Sequence, residues 1–469
     1  TAEAGRALNQ FRMLAGQDYF KQARNIMENA KSQKEFGTEA VKELAKMIDG
    51  MKDGVQIGRF TRTAFKTTTM DILRELWINA LLSGPRTHAT NILSNGLTAL
   101  LQVPETAVAA TISGLRGDRD GVRAGEAMAR LIGLMEGARE GMQNARIAFK
   151  TGEPTDISSK LEYHNNNAIP GKLGTIVRTP SRALMAADEL FKAINYRAEI
   201  NAQAVRLAMR EGVKGDLLAR RIADYRNEPT MAMQDAAHEH ALYQTFQNAM
   251  GPIAQPLMRL RERIPGAWLV LPFIRTPANI FKYAAERTPF GLAMREVRER
   301  MASGDAVVRD TQMARLALGG MIALGIASLA MAGLISGGGP NDDDEKKIKR
   351  ATGWQPYSFK IGDTWYSYQR LDPLGFQIGL IADLWETGGN LESAEADKIG
   401  AVIIKAIADG VLNKTYLSGL SDFTEAMNDP DRYADGYLRN FAGTLIPTGV
   451  AQVAQCARLV LRHPHRPTG

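Results

Sequence analysis

The sequence predicts a mainly α-helical, elongated multi-helix protein with one membrane-spanning helix and a small β-hairpin, and three observations lead there. Leu316 to Ile335 reads LALGGMIALGIASLAMAGLI, twenty residues without a charge. At about 1.5 Å of rise per residue, such a run covers the roughly 30 Å of bilayer hydrocarbon. Elsewhere apolar residues recur at helical spacing, as in Leu184, Ala187, Phe191, Ile194 and Ala198. Strand signals converge at one place, where Tyr357 to Ile361 and Trp365 to Tyr368 flank Gly362 and Asp363.

Residues 1–58 are charged and rich in helix formers, with Phe11, Leu14 and Ala15, then Tyr19, Phe20 and Ala23, at helical spacing. They read as two polar amphipathic helices. Residues 59–165 form a second region. Ile72, Leu73, Leu76, Trp77 and Ala80 give an apolar face that ends at Ser83, Gly84 and Pro85, a glycine followed by a helix breaker. Thr90 to Leu115 is a second membrane-like run, interrupted by Pro104 and Glu105. Leu93, Leu97, Leu100 and Leu101 lie on one face, and Asn91, Asn95, Thr98 and Gln102 on the other. The second face carries no charge, which suits the lining of a wet conduit or a helix within a membrane. An ordinary amphipathic helix of a bundle has the same pattern. A further helix between residues 116 and 152 would bury Met128, Leu131, Ile132 and Met135.

Residues 166–300 open with a polar connector ending at Pro170 and Gly171, followed by a long helix from Pro180 closed by Gly212. Asp188 and Glu189 on it resemble a carboxylate pair, but neighbours on a helix point apart. With Lys192 one turn on, they read as a solvated, ion-paired edge. Six prolines between Gly251 and Phe290 break up the apolar AWLVLPFI, which is too short to span. Trp268 and Phe273, beside Arg275 and Lys282, suit an interfacial segment, and a buried loop fits equally.

Residues 301–350 hold the apolar run, with Leu316, Leu324, Leu329 and Ile335 as its spanning side chains. Gly319, Ala323 and Ala327 recur every fourth residue, a stripe that lets membrane helices approach closely. A buried central helix of a soluble bundle is the competing reading. The acidic Asp342, Asp343 and Asp344 lack the spaced ligands of a calcium loop and read as a solvated loop. Residues 351–455 contain the hairpin and further helices. Trp354 and Trp365 belong to a run of aromatics that would form either an interfacial belt or a packed hairpin core. Residues 456–469 are a basic, proline-containing tail.

Lys plus Arg number 58 against 51 Asp plus Glu, a net charge of +7 that favours anionic partners without choosing among them. One cysteine, Cys456, excludes an internal disulfide framework and points to a reducing compartment. No secretory signal follows Thr1, which is expected of a processed chain or a fragment. No phosphate loop, dinucleotide fingerprint or nucleophile elbow is present. His238, Glu239 and His240 face apart on a helix and read as a solvated face rather than a zinc pair. No catalytic residue, metal or cofactor is therefore expected.

Four phrases carry a resemblance: ELWINALLSGPRTHATNILSN from Glu75, ALMAADELFKAINYRAEI from Ala183, LPFIRTPANIFKYAAERTPFG from Leu271, and WQPYSFKIGDTWYSYQRLDPLGF from Trp354. Together they resemble the C-terminal regions of large internal virion proteins of short-tailed phages, also met in large polyvalent phage and prophage proteins. The likeness covers roughly Arg59 to Gln455 and brings no catalytic residue with it. It implies an inner-core or ejection protein that leaves the capsid with the genome and builds a conduit across the host envelope. The implied partners are further copies of the chain, other internal virion, portal and tail proteins, host membrane lipid, and double-stranded DNA bound without sequence preference. Relatives often carry a murein-cleaving domain upstream, to which nothing here corresponds, and the tail from Cys456 departs from the family. An integral membrane protein of a cell or prophage, such as a transporter, is the alternative.

Overall fold

The structure is a computed structural model that describes residues 69–155, 168–248, 273–340 and 342–388. About 74% of it is helical, with one candidate membrane-spanning helix and a two-stranded antiparallel hairpin. The described residues fall into two compact units built from non-contiguous segments, one of 69–91, 138–155 and 168–193, the other of 92–137, 194–248, 273–340 and 342–388. Sequence regions 1–58 and 456–469 lie outside the described residues, as does Trp268.

In the first unit, helix α1 (Thr69–Leu82) buries only part of the expected face. Trp77 and Ala80 are buried, but Leu73 and Leu76 are exposed while Glu75 and Asn79 are interior. Burial of Glu75 follows from its partners: Arg178 donates to its carboxylate at 2.6 Å and the Ile169 amide at 3.2 Å. Asn79 accepts from the Ser181 amide, so these polar groups have protein partners in place of water. The glycine and proline at 84 and 85 end α1 as predicted, and Pro85 opens helix α2 (Pro85–Arg116) at once. The short helix α4 (Gly171–Val177) follows helix α3 (Glu126–Thr151) in chain order. Gly174 of α4 sits so close to Ile169 that a Cβ would lie 1.9 Å from that residue's carbonyl oxygen.

Helix α5 (Thr179–Arg210) carries Phe191, Ile194 and Ala198 inward as expected, with Leu184 and Ala187 only half-buried. Asp188 and Glu189 are not a solvated edge. Both are buried, and Glu189 pairs with Lys192 at 2.5 Å and accepts from the Thr155 hydroxyl.

In the second unit, Gly133 of α3 brings that helix onto α5, since a Cβ there would lie 2.6 Å from the Cα of Ala198. Met128, Ile132 and Met135 consequently face outward rather than in. Helices α6 (Gly215–Asn227) and α7 (Met231–Gln244) fold over α5, closing a cluster of Ile200, Ala204, Met233 and Ala237 with Ile222 and Tyr225. Helix α8 (Arg275–Ala285), a 3-10 turn (Pro289–Ala293) and helix α9 (Arg295–Met301) lead to helix α10 (Ala306–Met331). Asp305 caps α10 by accepting from the amides of Val307 and Val308. Helix α11 (Asp343–Ala351) stands where a solvated loop was expected, because Asp342 accepts from the amides of Asp344 and Glu345 and so caps it.

Strands β1 (Ser358–Ile361) and β2 (Thr364–Ser367) pair antiparallel, Ile361 opposite Thr364. Gly362 holds φ +60° in the two-residue turn, a conformation open to glycine at little cost. Tyr357 and Tyr368 are buried with Ile326 and Ile335 and with Ile381 of helix α12 (Leu374–Gly388), and Phe359 packs on them. The aromatics thus divide: these three make a hairpin core, whereas Trp354 and Trp365 are half-buried and Tyr366 is exposed.

Candidate functional site

The apolar run is shorter as a helix than as a sequence. α10 ends at Met331, where Gly333 takes φ +69° and the Leu334 amide bonds back to the Leu329 carbonyl, a glycine-based helix stop. Ile335 is therefore not a spanning residue. It is buried and bridges to Phe359 of β1. The uncharged helical part, Leu316 to Met331, is about 24 Å long at 1.5 Å per residue, and the full α10 of 26 residues is about 39 Å.

The two flanks of α10 differ. One carries the small-residue stripe and packs within the chain: a Cβ on Gly319 would fall 1.6 Å from the Arg287 carbonyl oxygen. Ala323 and Ala327 lie against the Tyr357, Tyr368 and Ile381 cluster. The stripe serves close approach, as expected, but to this chain's own turn and α12. The opposite flank, with Met321, Leu324, Leu329 and Met331, is exposed, Leu324 to 72%, while Leu316 is half-buried. About 22% of the apolar stretch of this helix is buried, less than the competing reading of a buried central helix implies.

The polar start of α10 is anchored in a buried ionic cluster. Asp310 is fully buried and accepts from Ser113 at 2.6 Å and from Arg309 at 3.0 Å. Arg315 faces Glu105 at 3.7 Å and Glu286 at 3.9 Å, and lies over the Tyr243 ring. Arg287 meets Glu105 with two hydrogen bonds, 2.6 and 3.0 Å. Its Nη1 donates to the Tyr243 hydroxyl and the Tyr283 carbonyl, and its guanidinium carbon lies 3.3 Å from the Tyr283 ring centroid. Arg300 adds a 3.0 Å pair to Glu286. Burial pushes the Glu286 carboxyl up, but Arg300, Arg315 and the Tyr243 hydrogen bond outweigh it and hold it below the ordinary value.

A second network lies further along α2, made by the residues proposed to line a conduit. Asn95, Thr98 and Gln102 are buried, Asn91 is half-buried, and Leu93 and Leu100 are half or more exposed. The amphipathic pattern is real and its orientation is reversed. Gln102 donates to Asn195 at 2.7 Å and accepts from Arg130 at 2.8 Å. Arg130 also pairs with Glu199 at 2.6 Å, and Thr98 bonds back to its own helix. Polar groups so engaged face protein, not an open lumen. Pro104 does not interrupt α2, which runs through it.

His240 belongs to this network rather than to a solvated face. Its Nε2 lies 2.9 Å from Gln102 Oε1 and 3.1 Å from Arg130 Nη1. Burial, then Arg130, Arg315 and Arg287, against the opposing pull of Glu199, lower it to about 3. Because the folded value lies below the ordinary 6.5, the unfolded chain binds the extra proton between these limits, and stability falls as pH drops from 6.5 toward 3. The expected loss from this group is about 1.4 kcal/mol per pH unit well inside that window. Urea unfolding at pH 7.5, 6 and 5 should show it, and His240→Gln should flatten the slope. An unchanged slope in the variant would assign the pH dependence elsewhere.

Comparison with protein-family models, curated proteins and solved structures gives no match. Among the described residues, no group of three or more His, Cys, Asp or Glu is placed to hold a metal ion. Of the remaining interfacial residues, Phe273 is half-buried just before α8. The Trp354 ring has Lys349 Nζ at 5.8 Å and fills the space over Gly339.

A clamp not expected from the sequence holds α12. The amides of Gly337 and Gly339 donate to Glu386 at 2.9 Å and that of Gly338 to Asp383 at 2.6 Å. A Cβ on Gly337 would lie 2.4 Å from the Asp383 Oδ1, so the glycine lets the carboxylates approach these amides. Nothing in sequence spacing named the acceptors of this glycine run.

Proposed function

We propose that this chain is a structural internal virion protein of a phage particle, one that inserts into the host envelope and helps to form a conduit for genome delivery. The observation that carries the reading is α10, whose charged start is fixed by buried ion pairs while its far flank offers Met321, Leu324, Leu329 and Met331 to the surroundings. Leaving a Leu-sized side chain in water forgoes about 1.5–3 kcal/mol relative to burying it. Hydrocarbon removes that loss, and the buried charges at the helix start need no solvation by water. The phrases from Glu75, Ala183, Leu271 and Trp354, which resemble those of internal virion proteins, support the biological setting of this reading.

A single span encloses no passage, so the conduit consists of several copies of the chain, together with other internal virion, portal and tail proteins. Double-stranded DNA would meet it through a modest excess of +7, giving weak, salt-sensitive and sequence-independent contact. The experiment is release from vesicles of phosphatidylethanolamine and phosphatidylglycerol loaded with a short fluorescent DNA duplex. Added full-length chain should release the duplex. Vesicles that bind the chain and stay sealed at every protein-to-lipid ratio would overturn the conduit reading.

A further inference from the structure

α2 presents an outward stripe that follows three- and four-residue steps, from Leu93 through Leu97, Leu100, Pro104, Ala107 and Thr111 to Leu115. Leu97 is half-buried and the rest are exposed. The stripe carries no charge over about 33 Å at 1.5 Å per residue, which matches the roughly 30 Å of bilayer hydrocarbon. The one ionisable residue between Ile92 and Leu115 is Glu105. It points inward, 4% exposed, onto Arg287. The amides and hydroxyl of Asn95, Thr98 and Gln102 are likewise interior.

The exposed hydroxyl of the stripe, Thr111, donates to the Ala107 carbonyl at 2.9 Å. Ser328 on the open flank of α10 does the same to Leu324. Both hydroxyl protons are thus satisfied without water, the condition that hydrocarbon imposes. Proline within the helix and glycines at 96 and 114, with nothing within 4 Å of either Cβ position, are better tolerated in membrane helices than in soluble ones. α2 and α10 also lie antiparallel: Ser113 bonds Asp310, Ala109 packs with Ala314, and Glu105 faces Arg315.

We infer that the stripe from Leu93 to Leu115 is a second lipid-facing surface, so that α2 and α10 enter the bilayer as an antiparallel pair. This rests on the reading of α10 as membrane-inserted. Lipid, rather than a second copy, is the occupant because the stripe offers no ion pair and no free side-chain donor, the groups with which protein interfaces form their polar rims. Hydropathy averaged along α2 conceals this, since it counts the inward amides together with the outward leucines.

The test uses the full chain with Cys456→Ser and one new cysteine, at Leu100→Cys, Leu324→Cys or the exposed Arg220→Cys on α6. All three target side chains are exposed, so no packed side chain is removed. Each variant carries a polarity-sensitive fluorophore and is bound to vesicles containing acyl-chain spin labels. Labels at 100 and 324 should shift to the blue and be quenched several-fold more than the label at 220. A label at 100 that behaves like 220 while 324 is quenched overturns this inference alone. If neither is quenched, the membrane reading of α10 falls with it. A dry but unquenched label at 100, with disulfide-linked dimers through that position, would assign the stripe to a second copy and overturn the lipid assignment.

Discussion

Arg287→Ala is expected to lower the unfolding free energy by about 3–5 kcal/mol, the range for removing one partner of a buried ion pair. Arg287 and Glu105 are nearly solvent-free, at 2% and 5% side-chain exposure, so the variant strands a carboxylate away from water. Arg315, 3.7 Å from Glu105, offers partial replacement and puts the expected loss at the lower end. The cavity left over the Tyr283 ring adds to it. Urea unfolding followed by circular dichroism measures the change. The double variant Glu105→Gln, Arg287→Met should cost less than the two single changes summed, because neither residue then leaves a buried charge. A single-variant loss under about 1 kcal/mol, the ordinary range for an exposed pair, would mean that the cluster is hydrated and does not anchor α10.

Helix existence was legible because periodicity and end signals are local. The stop at Ser83 and Gly84, the long helix closed by Gly212, and the hairpin turn at Gly362 all follow from backbone preferences that need no partner. Which side faces inward was legible for α5 but not for α2, and only in part for α1. On α1 and α2 the apolar residues define one side well, and burial of that side is the expectation in water. Here Glu75, Asn79 and Gln102 are interior, since Arg178, Ser181, Asn195 and Arg130 complete their hydrogen bonds. Those partners lie 28 to 103 residues away in sequence, and no spacing rule reaches them.

The same limit explains α10. Its small-residue stripe was visible as a packing surface, but a sequence does not say whether the second surface belongs to another chain or to the carbonyl of Arg287. Its C-terminal stop rests on Gly333 entering the left-handed region, while glycine within an apolar run also suits a continuing membrane helix. Ile335 was counted into the span for that reason. His240 was read as solvated because it and His238 face apart on a helix, and only the fold brings it to Gln102 and Arg130.

The exposed flank of α10 is the centre of this account, and flotation of the intact chain with liposomes measures it directly. Wild type should rise with the vesicles. Leu324→Arg, placed at the most exposed leucine of the flank, should lose about 2.5–3.5 kcal/mol of insertion free energy. That corresponds to a roughly hundredfold fall in partitioning at 1.4 kcal/mol per tenfold, enough to leave the variant at the bottom of the gradient. Leu324 is exposed, so circular dichroism of the variant should match wild type. Wild type and Leu324→Arg floating equally, or wild type failing to float, would contradict the membrane role assigned to this helix.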